Sequence, residues 1–468
     1  MKTVLKRLIL PCLFILLFLS CKRDSFTGSP DVYLRTGIDT LHFDTVFTST
    51  GSITQSFKIF NANSKGIRIN SVRLAGGSAS PFKINVAGAT GPQVADVEIA
   101  ANDSTYVFAT VSINPSSANL PFIIRDSIEI AYNGKKQFVQ LEAYGQNARF
   151  FRNKKITSIE TWNNDLPYVL LGRLTVDTNA VLKIDKGCRI YMHADAPFVI
   201  HGTLQVNGEK GDSAKVVFAG DRLDVPYRDY PASYPGLLFT DVSKNNVINY
   251  AVIKNAYRGV VVLNPSVNAT PKLTLHETII DNAYDAGLLG INTNITARNV
   301  LITNCGKNIM LGGGGNYNFI HCTVATYGNQ FIQHKDPVIS VSNVLNGTTP
   351  AANLSALFRN CVFWGESNGL VESEVVIVKT GNTLFDVKFD AVLWRVKTNP
   401  ANAIVTGTII NDQSPQFDTI NTTRNTYSFR LKTGSPAINK GVASGILIDL
   451  DGAVRPVGLP DLGAYEKQ

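Results

Sequence analysis

Five segments in the second half of this 468-residue chain repeat one another, and that constrains the fold more than any other feature. With Ile253, Ile280, Ile302 and Val324 taken as equivalent, the spacings are 27, 22 and 22 residues. Five residues earlier stand Ile248, Leu275, Ala297 and Phe319, all apolar. Two residues later stand Asn255, Asn282, Asn304 and Thr326, and seven later Val260, Gly287, Ile309 and Phe331. The register survives an insertion, because Phe358, Phe363, Gly365 and Leu370 keep the same four offsets. A recurring period of this kind is the signature of a solenoid, in which each repeat buries its apolar face on its neighbours.

Coils of about 22 residues suit short parallel strands stacked at roughly 4.8 Å, so that like residues lie on like. The offsets then predict an apolar interior ladder and an asparagine ladder at a turn, its amides bonded to the backbone of neighbouring coils. In "NVLITNCGKNIM" (299–310), Ile302 and Ile309 are expected in the core, Asn304 at the turn, and Cys305 as a small buried group. Cys322 and Cys361 both fall two residues before the core reference and should stack. Val252, Ile279, Leu301 and Val362, one position before the reference, are apolar as well. Either loops cover them or the inward parity is shifted by one.

Two stretches carry a resemblance. "GTLQVNG" followed by "KVVFAG", and "GLLFTDVSKNNVINYAVIKNAYRGV", resemble coils of bacterial right-handed parallel β-helix proteins of the pectate-lyase-like type. "SPAINKG" (Ser435–Gly441) and "DLDGAVRPVGLPDLGAYE" (Asp449–Glu466) resemble the closing segment of many secreted proteins of that kind. Because a solenoid needs its last apolar face covered, this segment is expected to act as a cap. Its Asp449-Leu-Asp451-Gly reads as a turn motif, since the glycine comes too early for a calcium loop.

Residues 37–147 alternate apolar and polar with period two in short runs between turn signals, which indicates a β-sandwich. The features Phe60-Asn61, Ile69–Val72, Phe82–Ile84 and Val139–Gly145 resemble, in order, the immunoglobulin-like domains related to abnormal-spindle and major-sperm-protein modules. Such domains space or present another domain.

The N-terminus reads as a targeting segment: Lys2, Lys6 and Arg7, then the apolar "LILPCLFILLFLS" ending at Ser20. Cys21 follows at once, which resembles a bacterial lipoprotein signal with the loose lipobox of Bacteroidetes-type proteins. The resemblance implies lipidation of Cys21 and anchoring by acyl chains, at the outer membrane of the cell envelope. The expected order is signal peptide 1–20, flexible tether 21–36, sandwich 37–147, β-helix 148–433 and capping segment 434–468.

Composition narrows the function. The chain is 44% hydrophobic and 17% charged, which suits an all-β protein with a large buried core. Its formal charge of +8 drops to +5 without the three basic residues of the signal, and no basic cluster exceeds two residues. Nucleic-acid binding needs a concentrated basic patch, so it is not expected. Cys188, Cys305, Cys322 and Cys361 form no C-x-x-C pair and no histidine is spaced to join them, so buried free thiols are preferred over a metal site.

Catalytic signals are sparse. Arg258, Asp285, Lys307 and Asn329 share the outward offset of plus five and read as a solvated ladder. A metal-dependent lyase needs several carboxylates on one ion; here Asp281, Asp285 and Glu277 have no acidic counterparts on the next two coils. The paired acids of a glycoside hydrolase are missing from the rungs. His276, His321 and His334 fall at different offsets and read as packing or surface groups. "DRLDVPYRDYPASYPG" (221–236) interrupts the coil pattern and carries Tyr227, Arg228, Tyr230 and Tyr234, residue types that hold sugars by stacking and hydrogen bonding; a loop packed on the helix is the other reading. The sequence therefore points to an all-β envelope lipoprotein that binds glycan, with no cofactor and no metal. A polysaccharide lyase or glycoside hydrolase is the alternative, and a purely structural surface protein the third.

Overall fold

The computed structural model describes residues 25–48, 51–114, 122–345, 349–367 and 369–468; the expected signal segment and Cys21 lie outside them. The chain divides into two compact units, Met1–Asn147 and Ala148–Gln468. Among the described residues the only helical turns are Gly77–Ala79 and Tyr227–Asp229, and no helix is long and apolar enough to cross a membrane.

In the first unit, period-two alternation gives each strand one apolar face. The strands are β1 (Arg35–Thr36), β2 (Thr40–Phe47), β3 (Gln55–Asn61), β4 (Ile67–Leu74) and β5 (Phe82–Val86), followed by β6 (Ala89–Gly91), β7 (Gln93–Ile99), β8 (Asp103–Val111), β9 (Phe122–Tyr132) and β10 (Lys135–Gln146). They form two five-stranded sheets, ordered β1-β3-β8-β5-β6 and β2-β10-β9-β4-β7. Ile59, Ile84 and Val107 of one sheet and Ile69, Ile128 and Val139 of the other share one core. Asn61 is buried because its amide donates to Lys65 O at 2.9 Å and Ala100 O at 2.8 Å, satisfying carbonyls at two turns. The expected flexible tether is corrected for residues 25–36. Leu34 is buried with its N–H on the Tyr132 hydroxyl, Arg35 and Thr36 pair with β3, and Thr27 N donates to Gly66 O. An apolar side chain and a pairing edge hold this stretch on the sandwich.

In the second unit, 23 strands among the described residues, from Arg149 to Asn411, belong to one sheet in which each strand pairs mostly with the strand two or three further along the chain, in parallel. The reference ladder runs Ile253, Ile280, Ile302, Val324, Phe363 and on to Trp394. The row five residues earlier runs Ile248, Leu275, Ala297, Phe319, Phe358 and Phe389. Both rows are interior and essentially inaccessible. Toward the C-terminal end the second row becomes aromatic, with Phe319, Phe358 and Phe389 stacked at 5.3 and 4.9 Å. The unit is thus a parallel β-helix, and its four cysteines are buried free thiols.

The row at plus seven holds for Val260 and Ile309, both paired to Leu288, and fails at the other coils. Val260 pairs with Leu288 rather than Gly287, because the turn of that coil holds one extra residue around Tyr284-Asp285. Ile309 pairs with Ile339, not Phe331, because the chain leaves the coil between these positions. Leu370 is exposed in a later insertion.

The apolar row Leu301 and Val362, with Ala325, faces outward and is buried by the C-terminal residues Leu450, Leu462, Ala464 and Tyr465. The inward parity therefore stands. The capping role is corrected: residues 434–466 run along the flank of the solenoid rather than over its last coil. Val442 and Gly463 bond Asn360, Ser444 bonds His321, and Ile448 bonds Asn299. The last ladder strand, Ile404–Asn411, pairs on one side only, with Ile404 49% exposed. The segment has little sheet of its own, so its carboxylates take the place of backbone acceptors. Asp449 accepts from the N–H groups of Asp451, Ala453 and Glu466; Asp461 from Asn439 and Lys467; Glu466 from Val457 and Asp461. This accounts for the Asp and Glu positions of the closing motif without a metal.

Arg455 completes the clasp. Its guanidinium is buried, ion-paired with Glu466 at 3.0 Å and donating to Asn299 Oδ1 and Gly463 O. Breaking a buried pair by removing one partner costs about 3–5 kcal/mol. Arg455→Ala is therefore expected to lower unfolding stability by about that amount, measured by urea denaturation, whereas neutralising the exposed Lys397–Glu372 pair should change it by less than about 1 kcal/mol.

Candidate functional site

The turn after the reference strand is where the solenoid departs from regularity. On the coils of Asn255, Asn282 and Asn304 this turn is tight, and each asparagine takes the left-handed conformation (φ +65°, +55° and +51°) that its short amide tolerates. On the coil before, residues 221–236 leave from the same turn; on the coils after, residues 327–338 and 366–374 do so. Three short turns between long insertions make a groove, and the hairpin turn 421–426 overhangs it.

The asparagines form the floor. Asn255 donates to Arg228 O at 2.7 Å, and Asn282 donates to Asp229 O at 3.0 Å and to Asn255 Oδ1 at 2.8 Å. Asn329, from the next insertion, donates to Asn282 Oδ1 at 3.0 Å. The amides of Asn255 and Asn282 therefore hold the insertions and each other, whereas Asn304 meets the expectation by accepting from the backbone N–H of Tyr327 on the next coil at 3.3 Å. Asn308 also plays that part, donating to Ile302 O and Ala325 O.

Between these walls lies a cavity of about 190 Å³ lined by Asp229, Lys254, Asp281, Asn304, Phe331 and Arg424. It shares Asn329 with an adjoining cavity of about 560 Å³, lined by Tyr327, Gln330, His334 and Glu366 among others. Asp281 accepts hydrogen bonds from Thr303 Oγ1 at 2.9 Å and Asn304 Nδ2 at 3.5 Å. Burial nevertheless dominates and raises its carboxyl above the usual range, against those two bonds and the attraction of Lys254. His334 is buried with Nε2 2.9 Å from Glu374 Oε1, and Glu374 also accepts from Val338 N. A side chain at Gly365 would sit 2.3 Å from both partners, so glycine replaces the turn amide there.

The four residues read from the 221–236 loop part company. Tyr227 is 40% exposed and lies under the Arg222 guanidinium at 3.9 Å; its ring meets Tyr230 at 5.2 Å. Tyr230 packs on Phe331 at 4.8 Å at the rim of the smaller cavity. Arg228 is exposed, pairs with Asp229 at 3.6 Å and lends its carbonyl to Asn255. Tyr234 is corrected: it is buried, with its hydroxyl on Phe218 O, because it occupies the corner filled by Ala256 on the next coil and must fill the interior there. Lys254, Arg424 and Tyr427 went unnoticed in the sequence, and Phe331 was read only as a core position at plus seven. Only the asparagine ladder pointed to this edge.

The other chemical signals fall elsewhere. Asp285 bridges Arg258 at 2.6 Å and Lys307 at 3.6 Å, an ion-paired ladder with one acid between two cations. His321 is enclosed by Asn360 and Ser444, and burial lowers its pKa to about 2; His276 is lowered to about 4 for the same reason. Among the described residues no group of three or more His, Cys, Asp or Glu is placed to hold a metal ion.

No family profile matches the chain, and no curated protein matches it in sequence. Solved structures resemble parts of it. A family 123 glycoside hydrolase from Clostridium perfringens is 12% identical over 28% of this chain, with a TM-score of 0.20, and the match spans 31% of that enzyme. The PapD-like domain 7 of human CEP192 is 12% identical over 27% of this chain and 94% of its own, with a TM-score of 0.17. The Salmonella enterica SafA pilin–SafB chaperone complex gives 11% identity, 26% and 58% coverage, and a TM-score of 0.18.

Asp281 sets a pH signature. A carboxyl with a raised folded pKa binds its proton more tightly in the folded state, so its contribution to stability falls as pH rises from the usual carboxylate range through the raised value. Asp281→Asn should remove that contribution. The difference in unfolding free energy between wild type and variant, followed by urea titration from pH 4 to 8, should drift against the wild type as pH rises.

Proposed function

We propose that this protein is an envelope lipoprotein whose β-helix binds glycan in the groove on the asparagine ladder. The observation that carries the reading is the groove itself: amide floor, two cations, two acids, and aromatic lining from Phe331 and Tyr427, with Tyr230 packed on Phe331. Few ligands other than sugars call for many hydrogen-bonding groups of both kinds beside flat apolar rings. The cations and acids offset one another, which suits a neutral ligand. Tyr227, Arg228 and Tyr230 belong to this site through the loop that the asparagines hold in place.

Hydrolysis of the bound glycan is the second reading, favoured by one observation. Two acids, Asp229 and Asp281, line the same cavity, and burial raises the pKa of Asp281 above the usual carboxylate range. A pair of carboxyl groups, one of them with a raised pKa, is the composition of glycoside hydrolysis.

One experiment addresses both. The full chain is applied to an array of neutral and acidic oligosaccharides, and bound ligands are assayed for new reducing ends. Tyr230→Ala should weaken binding about tenfold, or about 1.4 kcal/mol, without changing which sugars bind. Absence of binding by the wild type removes the reading, and reducing ends that disappear in Asp281→Asn replace it with hydrolysis.

The anchor is tested separately. Lipidation at Cys21, directly after the small residue that closes the apolar segment, places the protein on a membrane through acyl chains. Cys21→Ala should release it to the soluble fraction or leave an unprocessed precursor. Membrane fractionation with retained acyl label on the variant contradicts the lipoprotein reading.

A further inference from the structure

Around the same edge, two residues past Asn255 and Asn282, stand Tyr257 and Tyr284. They are 44% and 52% exposed, with rings stacked at 5.9 Å and 25°. Backbone hydrogen bonds from Arg258 N to Pro235 O and Asp285 N to Tyr257 O place Pro235, Tyr257 and Tyr284 one above another on successive coils, while Gly306 N to Ala283 O and Lys307 N to Asp285 O bring Gly306 against the Tyr284-Asp285 turn. The stack is bounded by proline on one side and open on the other. The extra residue of the Tyr284-Asp285 turn crowds the next coil so closely that a Cβ at Gly306 would lie 2.3 Å from Tyr284 O. Glycine is required there, so position 306 puts no side chain against the Tyr284 ring, which is left half exposed.

We propose that Tyr257, Tyr284 and the bare coil at Gly306 form a second saccharide-binding site, with the apolar face of a neutral pyranose laid on Tyr284 above Gly306. It rests on the glycan reading of the groove and extends it, since both sites occupy the same turns and one chain-like ligand passes from the amide floor onto the aromatic strip. Three observations select the occupant. The ring stack is a flat apolar surface of sugar size, far below the roughly 800 Å² per partner of a stable protein interface. The neighbouring charges are already paired, with Asp285 between Arg258 and Lys307, so no free cation awaits an anionic ligand. Those same side chains keep unused donors and acceptors beside the ring, suited to sugar hydroxyls.

The test is binding of the full chain to immobilised neutral hexasaccharides of β-glucan, xylan, mannan and galactan type, and to polygalacturonate. It compares wild type, Tyr284→Ala, Tyr284→Trp and Tyr230→Ala. The wild type should bind at least one neutral hexasaccharide, and Tyr284→Ala should weaken that binding tenfold or more at an unchanged melting temperature. Tyr284→Trp should retain it, because a larger ring keeps the platform. Unchanged binding by Tyr284→Ala overturns the strip, and if Tyr230→Ala is weakened at the same time the groove stands alone. Binding confined to polygalacturonate, or to none of the probes, also overturns it.

Discussion

Parallel backbone pairing in register governs everything in the second unit. When each coil hydrogen-bonds to the next at the strand spacing, a residue type chosen once must suit its own copy directly above and below. Aliphatic and aromatic groups satisfy that demand in the interior by contact. Asparagine satisfies it at the tight turn, where the left-handed backbone tolerates it and its amide is both donor and acceptor. Charges satisfy it only by alternating, as Arg258, Asp285 and Lys307 do. The same rule explains where function collects. The walls of the coil are fully committed to their ladders, so variety is confined to the turns, and two insertions from one turn, 221–236 and 327–338, flank the groove.

That rule also decides what was legible in the sequence. The reference row and the row five residues before it were readable because no residue is gained or lost between them on any coil. The row at plus seven lay across the turn, and a single extra residue near Asp285 moved the core position from 287 to 288. The apolar outward row of Leu301 and Val362 was recognisable, and so was the distinct pattern of residues 435–466; nothing local announces that the two cover each other. The groove was half legible for a similar reason. Its floor is a repeat, but its walls come from segments that share no pattern, and Tyr234 looked like its loop neighbours although it fills the interior.

The C-terminal segment concentrates the molecule's buried charge. Arg455, Glu466, Asp461 and Asp449 are all nearly inaccessible, and burial raises the Asp461 and Glu466 carboxyls while lowering the Arg455 guanidinium. Such groups are costly to bury. They are offset here because each carboxylate accepts at least two backbone N–H groups in a stretch whose backbone has few other partners. The polar ladder beneath, Glu277, Asn299, His321 and Asn360, belongs to a second left-handed turn and gives the segment its footholds.

Because this strap lies lengthwise on the flank, it touches coils that do not touch one another. A bare stack of repeats is nearly one-dimensional: each coil knows only its neighbours, and ends can fray one rung at a time. From Asn299 through His321 to Asn360, a single covalent segment is fastened to three successive levels, and it buries the outer side of the same rungs. Peeling any one of them exposes the strap's apolar side chains and unseats its neighbours' hydrogen bonds together. The strap thereby couples the three rungs it fastens, so that none of them can open without its neighbours, and the groove-bearing coils lie alongside that part of the stack.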